Sequence, residues 1–292
     1  MPKIAVLGGT GYLASILKNQ NNTKQNKFTF FSRKKSCKNY VNFSRFEDSY
    51  SKLKKYDFII HLVGPSQSKI NNENKLLKEK KKITSKISDL CFNNNIKLIY
   101  ISSLKVYKNY GIKSIFVNSK INLDDLYSRS HYESEKIITK KFKKHKNMFT
   151  ILRLGNVFGY RKYLNLNELN KNIIHKFCKS AFCKKKIIVK NGIVQRAFIP
   201  SEIFADIINK TIKKKIFKNS IKIISYKIYN LKEFAFIIEK RFQKIFKSKI
   251  KVVINNYKFE KKNLIVLDRE YKINYNVKRI YKEIDQVFKN LK

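Results

Sequence analysis

The pattern of apolar and polar residues predicts strands and helices that alternate along the first half of the chain. Short runs that are apolar on both faces predict buried parallel strands, and they lie at 4–7, 27–31, 57–64, 96–103 and 149–154. Segments with apolar residues three and four positions apart predict helices, and they lie at 12–18, 70–95 and 127–144. Such a series predicts an α/β fold, a Rossmann-like doubly wound parallel sheet.

The remaining sequence predicts a smaller C-terminal α/β lobe. Helices are expected at 165–182, 201–213, 231–246 and 276–291, strands at 186–192 and 221–229, and a short ordered piece at 264–268. Ser201 is the predicted N-cap of its helix, because a serine hydroxyl accepts from a free first-turn N–H group. We predict a Rossmann domain over 1–160 and a substrate-binding lobe over 161–292, interleaved within a single compact unit.

A glycine-rich turn joins the first strand to the first helix. Gly8 permits a tight turn, Gly11 lets a phosphate approach the backbone, and Ala14 is small enough for the helix to pack on the strand. The helix N-terminus offers N–H groups and a positive dipole end to a pyrophosphate. The turn therefore predicts a dinucleotide site formed by Gly8, Thr10, Gly11, Tyr12 and Leu13.

The end of the second strand bears on which dinucleotide binds. An acidic residue at this place accepts hydrogen bonds from the adenosine ribose of NAD. The chain has Ser32, Arg33, Lys34 and Lys35 instead, so three cations stand where a 2′-phosphate would lie. The sequence therefore favours NADP(H) over NAD(H), with Ser32 and Arg33 as cofactor contacts.

The net charge of +46 is high enough to indicate a polyanionic partner. Only nine of the 66 basic residues are Arg, and the lysines are spread over the whole chain. Since Arg is the residue that binding sites favour for bidentate phosphate contacts, we interpret the charge as a solvated, lysine-rich surface. The lysine runs at 78–82 and 212–215 are expected to be solvated helix faces, with no specific nucleic acid or membrane partner.

The sequence also predicts a cytoplasmic protein. The N-terminus lacks the charged region, apolar stretch and cleavage site of a signal peptide, and the apolar runs are too short to span a membrane. The four cysteines show no C-x-x-C spacing, which indicates reduced thiols rather than a metal site.

Six motifs stand in an order that resembles the extended short-chain dehydrogenase/reductases of the NAD-dependent epimerase/dehydratase family. They are the glycine turn, D-x-I-I-H-L at 57–62, S-S-x-x-V-Y at 102–107, Y-x-x-S-H at 127–131, L-R-x-x-N-V-F-G at 152–159 and Q-R-x-F at 195–198. Each motif is modest alone, but together they cover nearly the whole chain.

The resemblance implies a role for each motif. Tyr127 would be the general acid/base, His131 stands where the family has a lysine, and Ser103 would hold the substrate oxygen. Asn156 and Arg196 would bind the substrate phosphates. The end of the strand at 57–64 would lie under the cofactor, which adds Leu62, Val63 and Gly64 to the cofactor site, together with Tyr127 and His131. His61, inside an apolar strand, is better explained as a structural residue than as a base.

A second tyrosine competes with Tyr127, because Tyr132 and Lys136 have the Y-x-x-x-K spacing. The family has a serine three residues and a glutamate eight residues after its tyrosine. If that tyrosine is Tyr127, these positions hold Ser130 and Glu135, and if it is Tyr132, they hold Glu135 and Lys140. Five residues rotate a helical side chain by about 140°, so both tyrosines cannot face one cofactor. We favour Tyr127 with His131, and the other pair stays open.

The implied function is NAD(P)-dependent hydride transfer at a carbon of a nucleotide-linked sugar. A 4-keto-sugar reductase or a 4-epimerase in surface-polysaccharide precursor synthesis fits best. Two alternatives stay open: a cofactor-binding regulator without turnover, indicated by His131 in the lysine slot, and a short-chain reductase of a non-sugar ketone. Relatives often form homodimers, so a homodimer is also an expectation.

Overall fold

The computed structural model describes residues 1–20, 26–32, 41, 45–64, 73–108, 110, 115–160, 172–255, 271 and 274–291. These residues form two compact units. Unit 1 consists of Met1–Lys108, Val117–Leu154 and Ala205–Ile223, and unit 2 consists of Asn109–Phe116, Gly155–Phe204 and Ile224–Lys292.

Unit 1 is built on a six-stranded sheet in the order β2-β1-β3-β4-β5-β9. The strands are β1 (Lys3–Leu7), β2 (Lys27–Phe31), β3 (Phe58–His61), β4 (Lys97–Ser103), β5 (Phe149–Leu154) and β9 (Ser220–Ile224). The first five pair in parallel. Since β3, β5 and four of the five residues of β1 are buried throughout, the apolar runs of the sequence became the centre of the sheet. The predicted α/β, Rossmann-like fold is confirmed.

The helices of unit 1 connect these strands. They are α1 (Tyr12–Gln20), α2 (Tyr50–Leu53), α3 (Glu73–Asn93), α4 (Leu126–Lys141) and most of α6 (Ser201–Lys213), with 3-10 turns at Phe46–Ser49 and Leu104–Val106. Helix α4 begins where it does because the Asp125 side chain accepts a hydrogen bond from Ser128 N at 3.0 Å. Helices α3 and α4 pack against each other, which places their facing side chains in one buried layer.

Unit 2 contains two small sheets. Strands β6 (Asn156–Phe158), β8 (Gln195–Pro200) and β10 (Lys227–Asn230) form one, in the order β10-β8-β6. Strands β7 (Lys186–Val189) and β11 (Lys251–Ile254) form the other and run parallel. The helices are α5 (Ile173–Lys184), α7 (Leu231–Phe246) and α8 (Val277–Lys289). Asn230 and Glu233 form a reciprocal capping box, which fixes the start of α7.

The structure differs from the sequence predictions at several places in this half of the chain. The single strand expected at 221–229 is two strands in different sheets, because the chain breaks at Ser225 and Tyr226 and the Tyr226 hydroxyl donates to Asn276 O at 2.9 Å. Residues 156–158 and 195–200, for which no strand was predicted, form β6 and β8. Strand β11 was not predicted, since its four residues lack the alternation that marks a half-buried strand. The helix residues expected at 165–171 and the piece at 264–268 lie outside the described residues.

Ser201 does not act as the predicted N-cap of α6, because it is the first residue of the helix and its hydroxyl donates to Glu283 Oε1 at 2.5 Å. The same carboxylate accepts from Glu202 N at 3.2 Å and from Tyr160 N at 3.1 Å. The start of α6 is therefore stabilised by a carboxylate from α8, a distant part of the sequence.

Within the part of the chain that the structure describes, no helix is long and apolar enough to cross a membrane. The same residues contain no group of three His, Cys, Asp or Glu side chains that could hold a metal ion.

Candidate active site

The glycine turn is held against the neighbouring strand. Gly8 N and Gly9 N both donate to Phe31 O, at 3.1 and 2.7 Å, and Gly11 N donates to Gly8 O at 2.9 Å. Gly8 has a φ of +94°, which side chains rarely adopt, and a Cβ there would lie 3.1 Å from the backbone of Leu62. Only glycine fits this position without strain.

The turn also gathers the predicted cofactor residues at the carboxyl end of the sheet. Gly8 contacts Leu62 and Val63, which follow β3, and Thr10 and Gly11 are exposed at the start of α1. A close-packed glycine turn that leads into a helix N-terminus fits the pyrophosphate of a dinucleotide. Ser32 is buried directly after β2, where Phe31 O holds the turn, and Arg33 lies outside the described residues.

Tyr127 lies in the first turn of α4, beside the end of β4. Burial raises the pKa of the Tyr127 phenol, and the neighbouring Ser103 side chain lowers it in part. Ser103 itself is fixed, because its Oγ accepts from Lys105 N at 3.2 Å. The structure therefore brings Ser103 and Tyr127 together at the carboxyl end of the central strands.

His131 lies one helical turn after Tyr127, with the two ring centroids 4.7 Å apart. Burial and the nearby Lys80 ammonium, with a smaller contribution from His61, hold the pKa of His131 well below 6.5. Burial raises the pKa of Tyr100 well above 10, and its hydroxyl and His131 Nδ1 lie 2.9 Å apart, within hydrogen-bond distance. His131 is a neutral imidazole and carries no positive charge at neutral pH.

Tyr132 and Lys136 have a different environment. The Lys136 side chain is 57% exposed and forms an ion pair with Glu133 at 3.1 Å. Its Nζ lies 5.7 Å from the Tyr132 ring centroid, so the two contact each other near the surface.

His61 is linked to α4 by a chain of hydroxyl groups. Val63 N donates to His61 Nδ1 at 3.2 Å, so the proton lies on Nε2, which donates to Thr84 Oγ1 at 3.2 Å. Thr84 then donates to Ser134 Oγ at 3.2 Å. Burial lowers the pKa of His61 to about 3, so the ring stays neutral and connects β3 to the two helices.

Helix α4 is attached to the sheet by a buried ion pair. Glu135 accepts from Arg153 Nη2 at 2.5 Å and Nε at 3.0 Å, and from Ser102 Oγ at 2.5 Å. Since Ser102 precedes Ser103 and Glu135 is on the helix of Tyr127, this network fixes the spacing of the two hydroxyl-bearing residues.

Sequence reasoning missed Lys80. It belongs to the lysine run at 78–82, but it is only 3% exposed and its Nζ donates to Ser130 Oγ at 3.4 Å, whereas Lys78, Lys81 and Lys82 are exposed. The interpretation of this whole run as a solvated face was therefore wrong at one residue. Position 80 completes the three- and four-residue spacing of Leu76, Leu77, Ile83 and Ile87, which was the available signal.

In unit 2, the two predicted substrate residues share one neighbour, Tyr110. Asn156 Nδ2 donates to Tyr110 Oη at 3.4 Å, and the Arg196 guanidinium lies 5.1 Å from the Tyr110 ring centroid. Arg196 Nη1 donates to the carbonyls of Gln195 and Tyr110, and burial lowers the pKa of the guanidinium. Among the described residues Arg196 has no acidic partner, and Tyr110 was not predicted.

The parallel sheet with a glycine turn at its carboxyl end defines a Rossmann-like dinucleotide-binding fold of the extended short-chain dehydrogenase/reductase class. Residues 4–225 match the model of the NAD dependent epimerase/dehydratase family. The chain therefore belongs to this family of NAD-dependent enzymes. A comparison with curated proteins gave no match.

Solved structures agree on the fold at low sequence identity. UDP-N-acetylglucosamine 4-epimerase from Bacillus cereus is 19% identical with a TM-score of 0.78, covering 99% of this chain and 100% of its own. The UDP-N-acetylglucosamine 4-epimerase from Methanobrevibacter ruminantium M1, in complex with UDP-N-acetylmuramic acid, is 18% identical with a TM-score of 0.79. The match covers 99% of this chain and 97% of that one. The dTDP-glucose 4,6-dehydratase from Bacillus anthracis, in complex with NAD, is 14% identical with a TM-score of 0.75. The match covers 99% of this chain and 97% of that one.

Proposed function

We propose that this protein is an NAD(P)-dependent enzyme that transfers a hydride at a carbon of a nucleotide-linked sugar. A 4-keto-sugar reductase or 4-epimerase in surface-polysaccharide precursor synthesis is the form that we favour. The observation that carries the proposal is the proximity of Ser103 and Tyr127 at the carboxyl end of the sheet that holds the glycine turn.

The chain's own residues have a direct chemical use in such a reaction. When bound, the nicotinamide supplies or accepts the hydride. The Tyr127 phenol exchanges a proton with the sugar hydroxyl, and Ser103 Oγ steadies the same oxygen by a hydrogen bond. His131, neutral and fixed by Tyr100, orients the site without contributing charge.

The substrate diphosphate is assigned to Asn156 and Arg196. An arginine without an acidic partner among the described residues suits a phosphate, because its planar fork binds two oxygens at once. The Tyr110 ring under the guanidinium keeps the fork in place, and Asn156 donates to the hydroxyl of the same ring. The names of the structural neighbours, which include nucleotide-sugar enzymes, support this substrate class.

For the cofactor we propose NADP(H) rather than NAD(H), on the cations that follow Ser32 in the sequence. The buried Ser32 directly follows Phe31, whose carbonyl holds the glycine turn, so the chain leaves β2 beside the dinucleotide site.

Purified protein at a salt concentration that screens its charge should bind NADPH more tightly than NADH. Replacing Arg33 with Ser should reduce that preference, and equal affinity of the wild type for both cofactors would refute it.

The assignment of the acid/base is tested with two matched variants. Tyr127→Phe should reduce turnover of 4-keto nucleotide sugars by about 10²–10⁴-fold, because the proton donor is lost. Tyr132→Phe should stay close to wild type, since that ring lies near the exposed Lys136. The opposite result would assign catalysis to Tyr132 and Lys136.

A regulator without turnover is the second candidate, and the neutral His131 favours it. A regulator would bind the cofactor but leave every keto sugar and non-sugar ketone unchanged. Detectable oxidation of NADPH or epimerisation by the wild type, absent in Tyr127→Phe, would exclude the regulator. Binding of neither cofactor would overturn the proposed function itself.

A further inference from the structure

The geometry points to Lys80, on α3, as the residue that carries the positive charge of this site in place of a cation at position 131, and as a cofactor contact beside Gly64. The inference rests on the proposed function, since it assumes that a dinucleotide binds here. Position 131 holds an uncharged ring, and Lys80 is a nearby cation from another element that acts on it.

The placement of the ammonium supports this role. A Cβ on Gly64, one of the predicted cofactor residues after β3, would lie 3.2 Å from Lys80 Nζ. The same Nζ donates to Ser130 Oγ at 3.4 Å, and Ser130 in turn donates to Tyr127 O at 2.9 Å. Lys80 therefore lies between Gly64 and the first turn of α4, which carries Tyr127.

The ammonium is also short of partners. It has three N–H donors, yet the described residues give it a single, long hydrogen bond and no ion pair. A buried charge normally has a carboxylate or several acceptors, because desolvation is otherwise uncompensated. Donors beside Gly64 that no described residue accepts from fit acceptors that arrive with a ligand.

The groups that face Lys80 come from three elements. His61 on β3 and His131 on α4 have lowered pKa values and are neutral at pH 8, and burial raises the pKa of Tyr100 on β4 well above 10. Glu135 on α4 is the nearby carboxylate, and its oxygens are bound to Arg153 and Ser102. Burial lowers the pKa of Lys80 to about 7, so Lys80 is the member of this set that changes charge near neutral pH.

The experiment measures cofactor binding and the protons taken up with it. At pH 8, calorimetric titration of wild type with NADPH in two buffers of different ionisation enthalpy should show uptake of up to about one proton per cofactor, because the bound ligand favours the charged ammonium. Lys80→Met and Lys80→Gln should show no such uptake. At pH 6 both should bind about 10–100-fold more weakly, which is the loss of a charged hydrogen bond.

The matched control is Lys78→Met, which removes the same charge from an exposed position of α3. It should keep wild-type affinity and proton uptake. The double variant Lys80→Met/His131→Lys moves the cation to position 131, and its affinity should return to within about threefold of wild type.

Each result has a defined meaning. If the wild type binds neither NADPH nor NADH, the proposed function fails and Lys80 is not in question. If the wild type binds and the two uncharged variants match it in affinity and proton uptake, the inference about Lys80 is wrong while the function stands. Loss of folding in both uncharged variants, seen by circular dichroism, would also overturn it by showing a structural role.

Discussion

Among the described residues, unit 1 buries two cations, Arg153 on β5 and Lys80 on α3, and their surroundings differ. Arg153 is 2% exposed and forms a two-point ion pair with Glu135, while its guanidinium lies 4.7 Å from the Tyr107 ring centroid. Lys80 is 3% exposed, and the described residues give its ammonium the Ser130 hydroxyl at 3.4 Å and the Tyr100 ring, with its centroid at 6.0 Å. Among the described residues, Arg153 therefore has a carboxylate partner and Lys80 does not.

The difference separates a structural charge from a functional one. The hydrogen bonds and charge of Glu135 raise the pKa of Arg153 despite its burial, whereas burial dominates at Lys80 and lowers the pKa to about 7. A paired ion costs the fold little to keep, but an unpaired one makes the fold less stable and is retained where a ligand uses it. Three substitutions test this contrast.

The largest expected change in stability comes from breaking the buried ion pair of Arg153 and Glu135. Arg153→Met leaves the Glu135 carboxylate buried without its cation, so the free energy of unfolding should fall by about 3–5 kcal/mol. Urea unfolding followed by circular dichroism measures it. The double variant Arg153→Met/Glu135→Met removes both charges and should recover most of the loss. A single variant as stable as wild type would show that the pair does not matter for the fold.

Removing the Lys80 cation should increase the free energy of unfolding, the opposite of the effect at Arg153. Below pH 7 Lys80 is charged in both the folded and unfolded states, and the fold bears the full desolvation cost. As the pH rises from about 7 towards 10.5, the unfolded state holds the extra proton, so wild-type stability rises with pH. Lys80→Met should therefore stabilise the protein by about 1–4 kcal/mol at pH 6, and the gain should shrink by pH 10.

Urea unfolding at pH 6 and pH 10 checks this prediction, with Lys78→Met as the control for the loss of one surface charge. The control should change stability by less than about 0.5 kcal/mol at either pH. A Lys80→Met variant that is destabilised at pH 6 would place Lys80 with Arg153 as a structural charge.

The smallest effect is expected at an exposed pair on the same two helices. Lys141 on α4 lies 2.5 Å from Asp89 on α3, and both side chains are about a third exposed. Asp89→Asn should cost about 0.2–1 kcal/mol, and 0.5 M salt should reduce that difference, because water and ions screen the pair. A loss as large as that of Arg153→Met would mean that exposure does not decide the strength of these pairs.

Sequence reasoning found the sheet because its strands are local apolar runs. The candidate site could be predicted because the glycine turn lies within one strand–helix junction and the motifs of Ser103 and Tyr127 each span only a few residues. Lys80 was missed because the exposed lysines at 78, 81 and 82 surround it, so the run was interpreted as one solvated face although the spacing of position 80 matches the apolar side of α3.

The errors in the second half have a different cause. Ser201 has the residue type and the position of an N-cap, but its hydroxyl donates to Glu283. No local sequence pattern indicates a partner 82 residues further along the chain. Likewise Ser225 and Tyr226 separate two strands because Tyr226 bonds to Asn276. Contacts that join distant segments decide these details, so they were visible only in the folded chain.

The carboxylate that stabilises the start of α6 belongs to a residue 82 positions further along the chain. During synthesis the first turn of α6 therefore leaves the ribosome well before its partner exists, and the sheet of unit 1 also waits for β9, made after α6. Neither unit can reach its final hydrogen bonding until a late segment is translated. A nascent chain whose emerged part ends between residues 224 and 283 would carry a finished central sheet and an unfinished second unit.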